Sequence, residues 1–189
     1  MAATVEVNLT TETAMIEILS ILAFLLAAVL IYAATKPDTF RIERSTRIQA
    51  PPERIFDLIN DLHAWSHWSP WEKKDPAMKR TFSDPASGKG ASYAWEGNKN
   101  VGTGSMEIIA ASRPDKIVIK LDFIKPIEGH NTVEFSFAEQ GGETRIVWAM
   151  FGPMPYFSKL MTTFFSMDKM CGKDFEAGLA QLKAVAEKP

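Results

Sequence analysis

His63 and His67 stand four apart in LHAWSHW, and on a helix that spacing turns both imidazoles to one face, as in a two-histidine metal site. Glu72 is the nearest following carboxylate, but no third ligand is evident. No metal is therefore expected, and the rings are read as surface or hydrogen-bonded groups. Cys171 is the one cysteine, which excludes an intramolecular disulfide and a thiolate cluster, and its own helix offers no activating partner. Ser105 and Ser136 lack a nucleophile elbow, so a nucleophilic hydrolase is not supported. Gly102-Thr103-Gly104 has the glycine density of a phosphate loop, yet it falls between strand patterns with no Gly-Lys-Ser/Thr helix start; a bulge or strand bend is expected. Gly88-Lys89-Gly90 reads as a turn. Glu96, Glu107 and Asp168 remain as carboxylates that could face a pocket and act as tuned acid or base, solvation being the plainer alternative. Trp65, Trp68 and Trp71 surround Ser-Pro. They are read as a wedge between a short helical turn and a sheet, or more sharply as a pocket rim or membrane-surface group.

These residues need elements to position them. The chain has 189 residues and a formal net charge of −2. There is thus no global basic field, and phosphate-driven nucleic-acid binding is not expected. Residues 1–35 contain Glu6, Glu12 and Glu17 and no Lys or Arg, so the remainder carries a slight positive balance. From Ile18 to Ala34 the sequence ILSILAFLLAAVLIYAA is free of charge; as a helix it measures about 26 Å, and Ala14 to Ile16 extend it toward the roughly 30 Å of a hydrocarbon core. The expected order is a short tail over 1–13, a transmembrane helix over 14–35, a linker over 36–38 and one domain over 39–189. No basic region precedes the apolar run, so signal cleavage is not expected. Lys36, Arg41, Arg44 and Arg47 follow it, which makes a single-pass protein with a cytoplasmic carboxyl-terminal domain. A buried core helix is the alternative.

Thr39–Ala50 alternates as a strand with one dry face, then Pro51-Pro52-Glu53 opens a helix carrying Ile55, Phe56 and Ile59. A short second helix or turn takes LHAWSHWSPW. Strand-like runs follow at Met78–Phe82, Ser92–Trp95, Gly104–Ala111, Lys116–Ile124, Thr132–Ala138 and Thr144–Phe151, with connections short enough for antiparallel neighbours. From Tyr156 the period becomes helical, and one long amphipathic carboxyl-terminal helix is expected, interrupted or bent near Gly172. The class is α+β, an antiparallel meander of about seven strands whose dry face a helix must cover.

FRIERSTRIQAPPERIFDLINDLHAWSHWSPW and MDKMCGKDFEAGLAQLKAVAE resemble the SRPBCC superfamily of START-related lipid-transfer domains, polyketide cyclases and birch-pollen-allergen type proteins. The first stretch is similar to its polyketide-cyclase/dehydrase-type subgroup. The likeness covers about 39–187. It implies a helix-grip fold, a curved sheet wrapped around the long carboxyl-terminal helix, with a cavity between them for an apolar or amphipathic molecule.

In such a cavity, Tyr93 with Trp95, Met106 with Ile108, Leu121 with Phe123, Phe135 with Phe137, and Trp148 with Met150 share strand faces and are the expected walls. Phe157, Met161, Phe164, Phe165, Met167 and Met170 would supply the lid, the methionines adapting to irregular apolar shapes. Plain core packing is the alternative for each of them. The function expected on this resemblance is membrane-anchored binding or transport of a lipid, isoprenoid quinone or polyketide-like compound, with no cofactor and no assigned catalytic residue. Two alternatives stand beside it: a polyketide cyclase or dehydratase using a pocket acid/base group, and an interaction module resembling the Hsp90-activator branch of the fold.

Overall fold

The structure is a computed structural model describing residues 2–188. In chain order its elements are α1 (Ala2–Ala34), β1 (Thr39–Ile48), α2 (Pro52–Asn60), a 3-10 turn (Leu62–Ala64), α3 (Trp65–Trp68), α4 (Pro70–Lys74), β2 (Lys79–Phe82), β3 (Ser92–Glu96), β4 (Thr103–Ser112), β5 (Lys116–Lys125), β6 (Gly129–Gln140), β7 (Glu143–Pro153), α5 (Tyr156–Phe164) and α6 (Met167–Ala186). They pack as two units. One joins the chain up to residue 38 with 154–166; the other joins 39–153 with the chain from 167 onward.

The larger unit is a seven-stranded antiparallel sheet in the order β1-β7-β6-β5-β4-β3-β2, with helices covering its apolar face. This is the expected α+β helix-grip architecture. Strand alternation turns Ile117, Ile119 and Leu121 of β5, Val133, Phe135 and Phe137 of β6, and Ile146, Trp148 and Met150 of β7 to that face. Pro51 and Pro52 start α2, where Pro is tolerated because the first-turn amides lack intrahelical partners anyway, and Ile55, Phe56 and Ile59 are its buried stripe. The indole nitrogens of Trp65 and Trp68 donate to the carbonyls of Ile59 at 2.9 Å and Leu58 at 3.0 Å. These bonds tie the short helices to α2, while the rings of Trp65, Trp68 and Trp71 pack on Phe135 and Trp148 of the sheet. Opposite Thr103 and Gly104 the register shifts by one with the extra residue, Ile124, on β5 and not in the glycine segment, and a second shift between Ile108 and Ala110 leaves Ile109 of β4 without a partner.

The carboxyl-terminal helix departs from expectation. It is two helices, because Phe165 is extended at φ −127° and ψ 136° and ends α5. The interruption falls there and not at Gly172, which lies within α6, buried beneath the guanidinium of Arg44, which a Cβ there would strike. Arg44 donates to both Asp168 carboxylate oxygens at 2.8 and 3.0 Å and to Glu176 at 2.7 Å, fastening two turns of α6 to β1. Gly178 makes a similar close approach, since a Cβ on it would lie 2.7 Å from Trp148 Cζ3.

The smaller unit holds α1 and α5. Within α1, Thr13–Ala34 is long and apolar enough to cross a membrane. The expected tail is continuous with this helix from Ala2, Met1 lying outside the described residues.

Across β5 and β6, Asp122 faces His130. Its carboxylate takes Lys120 Nζ at 2.8 Å and His130 Nδ1 at 2.8 Å. The Lys120 contact, then the His130 contact, hold the Asp122 carboxyl below the usual range, and Asp122 in turn raises the His130 imidazole. A raised imidazole contributes stability that is complete below the ordinary value near 6.5 and is lost as pH rises through its folded value. In an NMR titration His130 is expected to change charge above that ordinary value, and Asp122→Asn to bring it back down. Gly178→Val, by overpacking against Trp148, is expected to lower urea stability by about 1–3 kcal/mol.

Candidate functional site

Between the sheet and α6 lies a cavity of about 340 Å³, within the size range of small-molecule sites. The sheet's inward face divides along its strands. At one end α2 and α3 fill the space: Phe56 meets Phe137 at 5.9 Å between ring centroids, and Trp65 and Trp68 stand edge-on to Phe135 at 6.2 and 6.3 Å. At the other end the same alternating positions, Leu121, Phe123, Trp148 and Met150, line the cavity.

Tyr93, Trp95, Met106, Leu121, Phe123, Trp148 and Met150 are brought together as lining. Ile108, Phe135 and Phe137 share their strand faces but belong to the filled end, buried in the core. Met167 packs partly buried against that core. Phe157, Met161 and Phe164 are exposed on α5, as are Phe165 just beyond it and Met170 on α6. The helical wall comes from Cys171, Asp174 and Phe175 of α6 and from Trp71 and Glu72 of α4. Phe175 stacks on Trp148 at 4.2 Å with 10° between the ring planes.

The carboxylates singled out by sequence lie elsewhere. Asp168 is tied to Arg44, which holds its carboxyl below the usual range. Glu96 is exposed and pairs with Lys79 at 3.4 Å, and Glu107 is exposed on β4. The acidic groups in the cavity wall are Glu72 and Asp174, and Glu72 is the one bonded to another lining side chain. Its Oε1 accepts from the Tyr93 hydroxyl at 2.9 Å and its Oε2 from Arg80 Nε at 2.7 Å. Burial first, then the bond to Glu72, raises the Tyr93 phenol well above its ordinary value, so it stays a neutral donor. Both Glu72 oxygens are thereby engaged. Asp174 is similarly held, by Lys74 Nζ at 2.7 and 2.8 Å. Glu72 is visible in sequence only as a carboxylate following Trp71, a turn too short for periodicity to orient.

Two polar groups on this wall keep hydrogen-bonding capacity. Ser69 is buried, and its hydroxyl has no partner among the described residues. Trp148 Nε1 is buried without an acceptor, crowded by the rings of Trp68 and Trp71 at 5.7 and 5.9 Å. Cys171 is half-buried, and burial pushes its thiol up.

The mouth is formed by the tip of the β3–β4 hairpin and the β5–β6 turn, through Lys99, Asn100, Gly102, Lys125, Pro126 and Ile127. Asp75 anchors the hairpin tip, accepting from the Asn98 amide at 2.7 Å. Gly102, at φ +73°, allows the tip to press on the Lys125 backbone, where a Cβ would collide. Lys99 and Lys125 are exposed at the rim, and neither has a carboxylate partner among the described residues. His63 and His67 are exposed on the opposite surface of the short helices, His63 lying against the Phe82 ring at 4.1 Å. Among the described residues no three potential metal ligands converge.

This architecture is shared with solved structures. The Chromobacterium violaceum protein CV1439 is similar at 16% identity and TM-score 0.57, over 82% of this chain and 100% of its own. The Aha1 dimer of Colwellia psychrerythraea is similar at 12% identity and TM-score 0.56, over 78% and 96%. The di-domain ARO/CYC BexL of the BE-7585A biosynthetic pathway is similar at 16% identity and TM-score 0.60, over 85% of this chain but 54% of BexL. Likeness at these identities is one of fold. No functionally curated protein matches the sequence. The sequence from 39 to 187 does match the family model described as polyketide cyclase / dehydrase and lipid transport, and the chain belongs to that family.

Proposed function

We propose that the protein is a membrane-anchored binding or transport protein for a hydrophobic small molecule held between the sheet and α6. The observation carrying this reading is the cavity of about 340 Å³ bounded by aromatic, methionine and aliphatic side chains. Transfer of apolar ligand surface out of water favours binding by about 25 cal/mol per Å², and the Ser69 hydroxyl gives the ligand a point of orientation. Lys99 and Lys125 at the mouth favour an amphipathic ligand with a negatively charged end. An anionic lipid or a polyketide-like carboxylic acid meets these requirements, while an uncharged isoprenoid quinone matches the apolar wall alone.

The cyclase or dehydratase reading needs a group in the cavity that can take and return a proton. Glu72 is the nearest candidate, yet Tyr93 and Arg80 occupy both its oxygens, which argues for a structural and orienting role. An interaction module of the Hsp90-activator kind would have no need of a ligand-sized void.

The anchor is Thr13–Ala34, 22 residues or about 33 Å of helix, with the carboxyl-terminal domain on the cytoplasmic side by virtue of Lys36, Arg41, Arg44 and Arg47. Anchoring raises the local concentration of a bilayer-dissolved ligand at the cavity.

Filling the cavity tests the first element. Met106→Trp is expected to weaken binding of a fluorescent anthroyloxy fatty acid at least about tenfold while leaving far-ultraviolet circular dichroism unchanged. Equal binding by the variant and the parent would remove the cavity as the site. Alkaline carbonate extraction tests the anchor: the full chain is expected in the membrane pellet, and release to the supernatant would overturn the span.

A further inference from the structure

The helix α5 has its amphipathicity reversed relative to a helix of a water-soluble domain. Lys159, Thr162 and Thr163 have partners within the protein. Lys159 is buried and donates from Nζ to Asp38 at 2.6 Å. Thr162 accepts from Lys36 Nζ at 3.3 Å, and the Thr162 and Thr163 hydroxyls donate to the Lys159 carbonyl at 3.0 Å each. The apolar side chains point away: Phe157, Met161 and Phe164 are 57%, 40% and 65% exposed, and Phe165 is 58% exposed. Phe157, Met161 and Phe164, spaced by four and three, make a single stripe, and Phe165 follows it in extended backbone just beyond the helix end.

One further bond relates this stripe to α1. Tyr156 donates from its hydroxyl to the Leu30 carbonyl at 2.9 Å. Leu30 precedes Ala34, the end of the apolar segment, by four residues, about 6 Å along the helix axis. That depth falls within the roughly 5–10 Å at which interfacial helices bury their apolar faces. The α1 side chains remain exposed to the same level, Ile31 at 66% and Tyr32 at 57%, so lipid covering them reaches Tyr156. Tyr and Lys beside the stripe suit the headgroup boundary, where amphipathic rings and long cationic side chains settle.

We propose that α5 is a second membrane contact, an interfacial helix that sinks its Phe157, Met161 and Phe164 stripe, followed by Phe165, into the leaflet at the carboxyl-terminal end of α1. The occupant of this face is the lipid bilayer, and the inference rests on the reading of Thr13–Ala34 as a span.

The test uses full-length protein in phosphatidylcholine vesicles containing acyl-chain nitroxide lipid. In a Cys171→Ser background, an environment-sensitive NBD label is placed through Met161→Cys, with Phe164→Cys as a second stripe position, Leu25→Cys as the position within the span, and Glu139→Cys as the solvent reference. The expected result is a blue-shifted stripe label, quenched at least about half as strongly as the span label, with no quenching at 139. Quenching at 25 but none at 161 or 164 overturns the interfacial helix and leaves the anchor standing. Absence of quenching at 25 overturns both. Stripe labels that are shielded from nitroxide yet transfer energy between protein copies would assign the face to a second copy and likewise overturn the proposal.

Discussion

Phe175 lying flat on Trp148 sets the separation between α6 and the sheet, and the cavity exists because that separation is held open at one end. Two large rings 4.2 Å apart make α6 stand off β7 by aromatic bulk, while Gly178 lets the next turn close in on the same indole. Trp68 and Phe135 complete the cluster with edge-on and tilted contacts, geometries that add attraction beyond area burial. Arg44 reinforces the arrangement from the β1 side by gripping Asp168 and Glu176 across Gly172. Bulk in one place and glycine in another thus give a tilted seating, tight along one side of the helix and open along the other.

Within that opening, polarity is confined. Glu72 is a carboxylate in an apolar wall, and burying it alone would be costly; Arg80 supplies its countercharge and Tyr93 its second hydrogen bond. The trio joins α4 to β2 and β3 and makes the short helices part of the sheet's edge. Lys99 and Lys125 lie at the rim, where solvation is retained. An apolar interior with charge at the mouth is the arrangement that the proposed ligand would require.

Much of this architecture was legible in the sequence. Alternation in Tyr93/Trp95, Leu121/Phe123 and Trp148/Met150 identified the inward face of the sheet, because a strand has only two faces. It could not separate Met150 from Phe137: both point inward, and only the height at which α2 and α3 pack decides which meets a neighbour and which meets space. The stripe Phe157, Met161 and Phe164 was legible as a stripe, but periodicity says nothing of the medium it faces, and the interruption at Phe165 is a matter of backbone conformation that no apolar pattern records. Glu72 was missed for a related reason, since four or five helical residues are too few to define a face.

The sulfur of Cys171 belongs to the cavity wall, and burial keeps it protonated. Thiolate, not thiol, adds to electrophilic carbon. A quinone ring or an enone seated beside this residue at neutral pH would therefore meet a soft, polarizable neighbour and not a trap, and could depart chemically intact.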